Sequence, residues 1–394
     1  MINIAVLGYG TVGSGVVEVI NTNHESINKR AGDEINIKYV LDLRDFPGDP
    51  VEKVLVHDYE VIVNDPEVDI VVEVMGGIEP AYTFVKRALQ AGKSVSTSNK
   101  ALVAKHGSEL MEIAKEKNIN FLFEASCGGG IPIIRALNSS LTADEIDEIT
   151  GILNGTTNYI LTQMTENGES FGTALKAAQE KGSAEADPTA DVSGLDALRK
   201  IMLGCAVAYD ILPEDGLLNE GIENLRAADA ADIKRRGLTC RLLAKCGKNA
   251  DGSIYAYVQP VLLGADAPEC AVKKNFNMAK YTGRNSGLIV LMGQGAGRYP
   301  TASAVIRDIE CLRAGQREML TAACRAGAAD NAQSVCRYYV RLPEIYAHEL
   351  PAESASVEDG AARVITKEMS VRDMHAFAKR IRKAGAAVFF AEMA

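Results

Sequence analysis

The first fifteen residues constrain this chain more than any other stretch. Residues 2 to 7, INIAVL, make a mostly apolar run of strand length, GYGTVGSG follows at 8 to 15, and Val12, Val16 and Val19 then recur at helical spacing. A short apolar strand that enters a glycine turn and a helix marks the opening of a parallel sheet covered on both faces. Within G-x-G-x-x-G each glycine has its own task. Gly8 permits the tight turn, Gly10 lets the main chain approach a diphosphate, and Gly13 lets helix and strand pack closely. The helix start through Tyr9, Thr11 and Val12 then faces the anion. Such a glycine pattern alone also fits a purely structural turn; the strand, turn and helix around it point to a dinucleotide.

The next segments extend the same sheet. INIKYVLDLRD alternates Ile35, Ile37, Tyr39 and Leu41 and ends in Asp42 and Arg44, where an adenosine ribose would lie. An acid there suits the free 2′-hydroxyl of NAD and an arginine suits the 2′-phosphate of NADP, so the residues leave the cofactor open between the two. VDIVVEVMGG ends in Gly76 and Gly77, and a helix from about Pro80 to Ala91 stops at Gly92. In SVSTSNKALVAKHG the spacing predicts a strand ending at Thr97, Asn99 as helix N-cap and Lys100 in the first turn. A cation beside the positive end of a helix dipole costs about 0.3 to 1 kcal/mol. That cost favours release of the lysine proton, as a donor near neutral pH requires. INFLFEAS brings Glu124 to the same sheet edge, and the glycines of CGGGIP free several carbonyls beside it, an oxygen-rich setting for a hard cation.

Beyond Pro132 the repeated strand-helix pattern gives way to an α+β arrangement. IDEITGILNGTTNYIL reads as a strand, a polar turn from Asn154 to Asn158 and a helix. The densest chemistry follows in KGSAEADPTADVSGLDALRK, residues 181 to 200. Glu185, Asp187 and Asp191 lie in a proline-broken loop, while Asp196 and Lys200, four apart, share a helix face. Carboxylates around one ammonium suit a small amino-acid substrate. Strand-like segments recur at LTCRLLAKCG, SIYAYVQPVLL, FNMAKYTG and SGLIVLMG, and GQGAGRYPTASAVIRDIE supplies a glycine turn and a helix from near Pro300. The tail reads as a strand RYYVRLP, an irregular acidic stretch AESASVEDG, a strand ARVITKE, a helix DMHAFAKRIRKAG and a strand AVFFAEM, a small βαβ-like module.

These segments predict an α/β chain of three parts: a dinucleotide-binding domain at 1–133 and 297–318, a mixed-sheet substrate domain at 134–296, and a C-terminal module at 330–394. The net charge of −10 carries no polybasic run, which argues against nucleic acid and anionic membrane as partners. The N-terminus enters a strand at once and no apolar run reaches membrane length, so a cytoplasmic enzyme is expected. The 8 cysteines form no C-x-x-C pair and the 5 histidines no H-E-x-x-H, so reduced, mostly buried thiols are expected rather than zinc or disulfides.

The motifs GYGTVGSG, SNKALVAKHG, FEASCGGGIPII, GILNGTTNYIL, AEADPTADVSGLDALRK and GQGAGRYPTASAV, in this order, resemble homoserine dehydrogenases. The resemblance implies a Rossmann domain closed by a returning helix, a mixed-sheet substrate domain and a homodimer or tetramer built through the second sheet. It also implies reduction of L-aspartate 4-semialdehyde to L-homoserine by NADH or NADPH, a step toward threonine and methionine. By that resemblance Lys100 and Lys200 flank the reacting carbonyl, one or both giving the proton. Glu185 and Asp191 bind the substrate amino group and its surroundings, and Asp196 orients the reacting end. Asn99, Lys100, Gly76, Gly182 and the turn ending at Gly297 contact the cofactor. Glu124, Cys127, Gly129 and Ile131 match a structural sodium or potassium site made mostly of main-chain oxygens.

The helix after Lys200 and the strand around FNMAKYTG read as variants of the family pattern, and two features depart further. An aromatic residue is usual just after the glycine of the substrate loop, and this chain has Ser183. Its loss costs about 1 to 3 kcal/mol, or roughly ten- to a hundredfold in rate or binding. The tail looks like part of an ACT domain, the module that senses threonine in related enzymes, with its first helix and following strand missing, so weak or absent threonine feedback is expected. The same residues also admit a catalytically weakened, dinucleotide-binding regulatory protein, or a dehydrogenase of another small amino acid.

Overall fold

In a computed structural model of the chain, residues 1–313, 325–358 and 360–394 are described. They separate into two compact units. The first comprises Met1–Glu145, Ala206–Leu212 and Gly293–Ala326, and the second Ile146–Cys205, Pro213–Met292 and Gly327–Ala394. The returning segment expected at 297–318 is helical over Arg298–Arg313, and its residues 314–318 lie outside the described residues.

The first unit is built on β1 (Ile2–Leu7), β2 (Ile35–Leu41), β3 (Leu55–Val56), β4 (Ile70–Glu73), β5 (Ser94–Thr97) and β6 (Phe121–Leu122). All neighbours pair in parallel, in the order β3-β2-β1-β4-β5-β6. This is the doubly wound Rossmann order, whose direction reverses between β1 and β4 and opens a crevice at the carboxyl ends there. β4 is buried along its whole length and β1 at all but Asn3, because helices cover both faces. A Cβ on Gly13 would lie 1.9 Å from the Gly8 carbonyl oxygen, so no larger residue lets the helix Thr11–Thr22 meet the turn. Gly15 does similar work on the other side, where a Cβ would come 2.8 Å from Arg298 Cγ. Close approach of these two helices places Val16, Ile20, Ala302, Val305 and Ile309 in one apolar core.

The second unit carries, wholly or in part, β7 (Ile146–Ile152), β8 (Ile211–Asp215), β9 (Leu218–Asn219), β10 (Thr239–Lys248), β11 (Ile254–Leu263), β12 (Phe276–Gly283), β13 (Gly287–Gln294), β14 (Arg325–Ala328), β15 (Val335–Pro343), β16 (Ala352–Glu358), β17 (Ala361–Thr366), β18 (Met369–Ser370) and β19 (Phe389–Met393). The main sheet runs β13-β12-β7-β10-β11-β19-β15-β17-β16, while β8 and β14 form a separate ribbon. The helices Gly155–Asn167 and Ala227–Arg235 pack on β10. The polar residues 155 to 158, expected in a turn, instead form the first helical turn, because the Asn154 side chain accepts from Thr157 N and caps it.

The tail strands continue this sheet. β19 runs parallel to β11 through Val261↔Glu392 and Leu262↔Met393, and antiparallel to β15. Two buried ion pairs hold them: Arg341 Nε lies 3.0 Å from Asp229 Oδ1, and Lys245 Nζ lies 2.5 Å from Glu392 Oε1. The acidic stretch expected to be irregular is the strand β16, antiparallel to β17. Every residue of β16 is exposed, so it carries no apolar alternation to betray it, and the backbone ladder alone fixes it. A strand therefore lies in the tail where the sequence pattern showed none, and the short 3-10 helix Glu344–Glu349 separates β15 from β16.

Candidate functional site

In the first unit, the helix Thr11–Thr22 begins with no side-chain cap and no acid in its first turn. Its leading N–H groups, from Thr11 and Val12 onward, are therefore left for an anion. Gly8 has φ +99°, a conformation reserved for glycine, and a Cβ on Gly10 would meet nothing within 4 Å. The turn thus offers open space beside uncapped donors, which fits a diphosphate.

At the end of β2, Asp42 Oδ2 accepts from Tyr9 N at 2.8 Å and from Arg44 Nη2 at 2.9 Å, and Asp42 Oδ1 accepts from Arg44 Nε at 2.9 Å. Arg44 first, and the two backbone N–H groups after it, hold the Asp42 carboxyl well below the usual carboxylate range. The guanidinium itself is exposed and lies 5.1 Å from the Phe46 ring centroid. Asp42 and Arg44, read as alternatives from sequence, form one unit.

Asn99 caps the helix Lys100–Lys117 through Leu102 N, and its Nδ2 donates to the Gly77 carbonyl at 2.6 Å. Lys100 follows, half-buried, at the helix start. Beneath this loop lies a residue that sequence reading passed over. Glu73, the last residue of β4, is fully buried, accepts from Met75 N at 2.7 Å and from the Thr97 hydroxyl, and Thr97 Oγ1 in turn accepts from Asn99 N at 3.0 Å. Burial pushes the Glu73 carboxyl up to about 7. The signal was an acid closing an otherwise apolar strand, IVVE, three residues before Gly76. Gly76 has open space around its Cβ position, and Gly297, at φ +122°, closes the turn before the helix Arg298–Arg313.

Also in the first unit, Gly128 and Gly129 have φ +85° and +54°. A Cβ on Gly129 would lie 2.7 Å from the Gly295 carbonyl carbon, so the triplet is needed for two main chains to touch. Glu124 is buried, and its carboxylate oxygens accept from Ile134 N at 3.2 Å and Arg135 N at 2.6 Å. Burial, then the Asp308 charge, push it up to about 8. Glu124, Gly129 and Ile131 border a cavity of about 10 Å³, room for one small ion or water, and Cys127 is buried one residue before the triplet. Among the described residues no group of three or more His, Cys, Asp or Glu forms a metal centre.

In the second unit, Lys200 and Asp196 share a face of the helix Leu195–Tyr209, as their spacing predicted. Lys200 Nζ lies 2.8 Å from Asp196 Oδ2 and donates to the Leu153 carbonyl at 2.6 Å; the two side chains are only 9% and 7% exposed. Asn154 completes the cluster. Its Nδ2 donates to Asp191 Oδ1 at 2.7 Å and to Asp196 Oδ2 at 2.8 Å. One amide therefore cross-links two carboxylates with a buried ammonium, a polar group suited to receiving a hydroxyl or carbonyl oxygen. Thr156 Oγ1 donates to the Ser183 carbonyl at 2.6 Å and ties the acidic loop to the same turn, and Gly182 has φ +67°. Asp187 accepts from Thr189 N and hydroxyl and shapes the loop. Glu185 is exposed, and its carboxylate makes no hydrogen bond among the described residues. Asp191, Asp196 and Lys200 are thus brought together, and Glu185 stands apart.

Comparison with known proteins agrees with both units. The family description "Homoserine dehydrogenase, NAD binding domain" matches residues 8–124 and "Homoserine dehydrogenase" matches 132–309. A homoserine dehydrogenase of Synechocystis is 41% identical over 315 residues, 78% of this chain and 72% of that protein. One of Bacillus subtilis is 39% identical over 322 residues, 80% of this chain and 74% of that protein. Among solved structures, a homoserine dehydrogenase from Thiobacillus denitrificans superposes with a TM-score of 0.86 at 31% identity, covering 100% of this chain and 98% of that one. A hyperthermophilic archaeal homoserine dehydrogenase in complex with NADPH gives 0.67 at 32%, covering 79% and 97%.

Proposed function

The chain belongs to the homoserine dehydrogenase family, and on that premise we propose that it catalyses the reversible reduction of L-aspartate 4-semialdehyde to L-homoserine with NADPH or NADH. The observation that carries this reading is the buried Lys200 ammonium, held by Asp196 and the Leu153 carbonyl and cross-linked through Asn154 to Asp191. A bound reduced nicotinamide would supply the hydride that the carbonyl carbon takes up. As negative charge grows on the oxygen, the lysine ammonium stabilises it and gives up a proton, Lys200 and Lys100 being the two donors. Asp196 fixes the Lys200 Nζ position, so its geometry is set before substrate arrives. Asp191 and Glu185 receive the substrate amino group. Gly182 and Gly297 line the nicotinamide half of the cofactor, and Gly8, Gly10 and Gly13 receive its diphosphate.

The cofactor in this reading is NADP or NAD, with Arg44 placed to meet the 2′-phosphate of the former and Asp42 paired beside it. A sodium or potassium ion at Glu124, Cys127, Gly129 and Ile131 orders the loop and takes no part in hydride transfer. Because the Glu124 carboxylate is engaged by two N–H groups, ligation falls to main-chain oxygens, which suit a monovalent cation. The exposed apolar residues Leu288, Val290 and Met292 on the outermost strand β13 support a homo-oligomer joined through the second sheet. The strand order β16-β17-β15-β19 with the helix Val371–Lys383 supports an ACT-like tail, and the short 3-10 helix Glu344–Glu349 in place of a first α-helix supports weakened or absent threonine feedback.

The test is oxidation of L-homoserine by purified protein, followed as nicotinamide absorbance with NAD and NADP in parallel. Turnover with homoserine is expected to exceed that with its shorter and longer homologues serine, 5-hydroxynorvaline and 6-hydroxynorleucine. Silence with both nucleotides, in folded protein that binds dinucleotide, contradicts the reading.

A further inference from the structure

The second unit holds a concavity of about 670 Å³ between the segment from Leu217 to Glu220 and one face of the helix Val371–Lys383. No residue assigned above to nucleotide, substrate or cation borders it. The helix presents Arg372, His375, Lys379, Arg382 and Lys383 to it, a single stripe at helical spacing. Arg382 is matched, its Nη1 and Nη2 donating to the buried Glu220 carboxylate at 2.8 and 2.6 Å. Its Nε is buried with no partner. Burial, then the Arg382 charge, hold the His375 imidazole down at about 4, so it is neutral and lies 3.1 Å from Gln259 Oε1.

Arg372, Lys379 and Lys383 remain. All are exposed, and none makes an ion pair among the described residues. Three uncompensated cations on one concave face stand out in a chain of net charge −10. The helix dipole accounts for Lys379 and Lys383 near the C-terminal end. It does not account for Arg372, the second helical residue, which sits where a cation is unfavourable. Leu217 and Leu218, half-buried, give the opposite wall an apolar surface.

We propose that this concavity binds a small organic polyanion with two separated acidic groups, carboxylate or phosphate, one met by Arg372 and the other by Lys379 and Lys383, its body lying against Leu217 and Leu218. The seven helical steps from Arg372 to Lys379 span about 10 Å, so one isolated anion does not reach both ends. The volume falls in the range of metabolite sites, about 300 to 1,000 Å³. This site is independent of the dehydrogenase reading.

Isothermal titration of the full chain, saturated with NADP to fill the dinucleotide site, tests it. Citrate probes the carboxylate source, fructose 1,6-bisphosphate the phosphate source and inorganic phosphate the single anion. One of the two larger probes is expected to bind at a single saturable site, about tenfold or more tighter than inorganic phosphate. Both Arg372→Gln and the double change Lys379→Gln with Lys383→Gln are expected to weaken it about tenfold or more. The proposal is overturned by absence of binding for both larger probes, by inorganic phosphate binding as tightly, or by affinities unchanged in both variants.

Discussion

Asn154 performs two tasks with different atoms, and a serine separates them. A serine hydroxyl still caps the helix Gly155–Asn167, but it has no amide N–H pair for Asp191 and Asp196. Asn154→Ser is therefore expected to leave stability within about 1 kcal/mol while lowering kcat/KM about tenfold or more, as read by urea denaturation and steady-state kinetics. Glu73 carries a pH signature. Its folded value of about 7 lies above its ordinary 4.5, so unfolding releases its proton between those values and stability falls as pH rises through that window. Glu73→Gln removes up to about 3 kcal/mol of that slope, measured by denaturation at pH 4.5 and 7.5. Arg44→Ala is expected to lower kcat/KM about tenfold for NADP and to spare NAD, because only the 2′-phosphate needs the guanidinium. The lysines and the acidic loop were legible in the sequence because spacing alone puts Asp196 and Lys200 on one face. Glu73 and Asn154 were not singled out there, since their partners Thr97, Asn99, Asp191 and Asp196 come from other elements and only the fold brings them within reach.

At the scale of elements, glycines announced where chains touch, and strands with one buried face announced themselves by alternation. β16 did neither. Its exposed residues satisfy only the backbone ladder to β17, so nothing in its side chains distinguishes it from a loop. The tail is anchored instead by Arg341 in β15, whose guanidinium meets the fully buried Asp229 in the helix Ala227–Arg235 and whose Nη2 donates to the Asn224 carbonyl at 2.7 Å. Arg341→Ala leaves a buried carboxylate without its cation. A loss of about 3 to 5 kcal/mol is expected in the unfolding of the second unit, followed by denaturant titration. A loss below 1 kcal/mol would show that the tail contributes little to that unit.

For the whole molecule, the outermost strand β13 sets the state of assembly in this account. Leu288, Val290 and Met292 alternate along it, 57%, 39% and 58% exposed, a spacing suited to covering by a second copy. If β13 joins copies as proposed, sedimentation velocity is expected to give an oligomer for wild type and a monomer for Val290→Lys, with the fold retained by circular dichroism. The doubly wound order and the second mixed sheet were both readable from the motif order, but the continuity of the tail with that sheet was not, because parallel pairing of β11 with β19 leaves no local pattern. The most direct test of the central claim is the single-turnover rate of L-homoserine oxidation in wild type, Lys200→Met and Lys100→Met at saturating substrate and nucleotide. Rapid nicotinamide reduction is expected in wild type, with a fall of about 10² to 10⁴ in at least one variant. Wild-type rates in both variants would contradict a proton-donor role for either lysine.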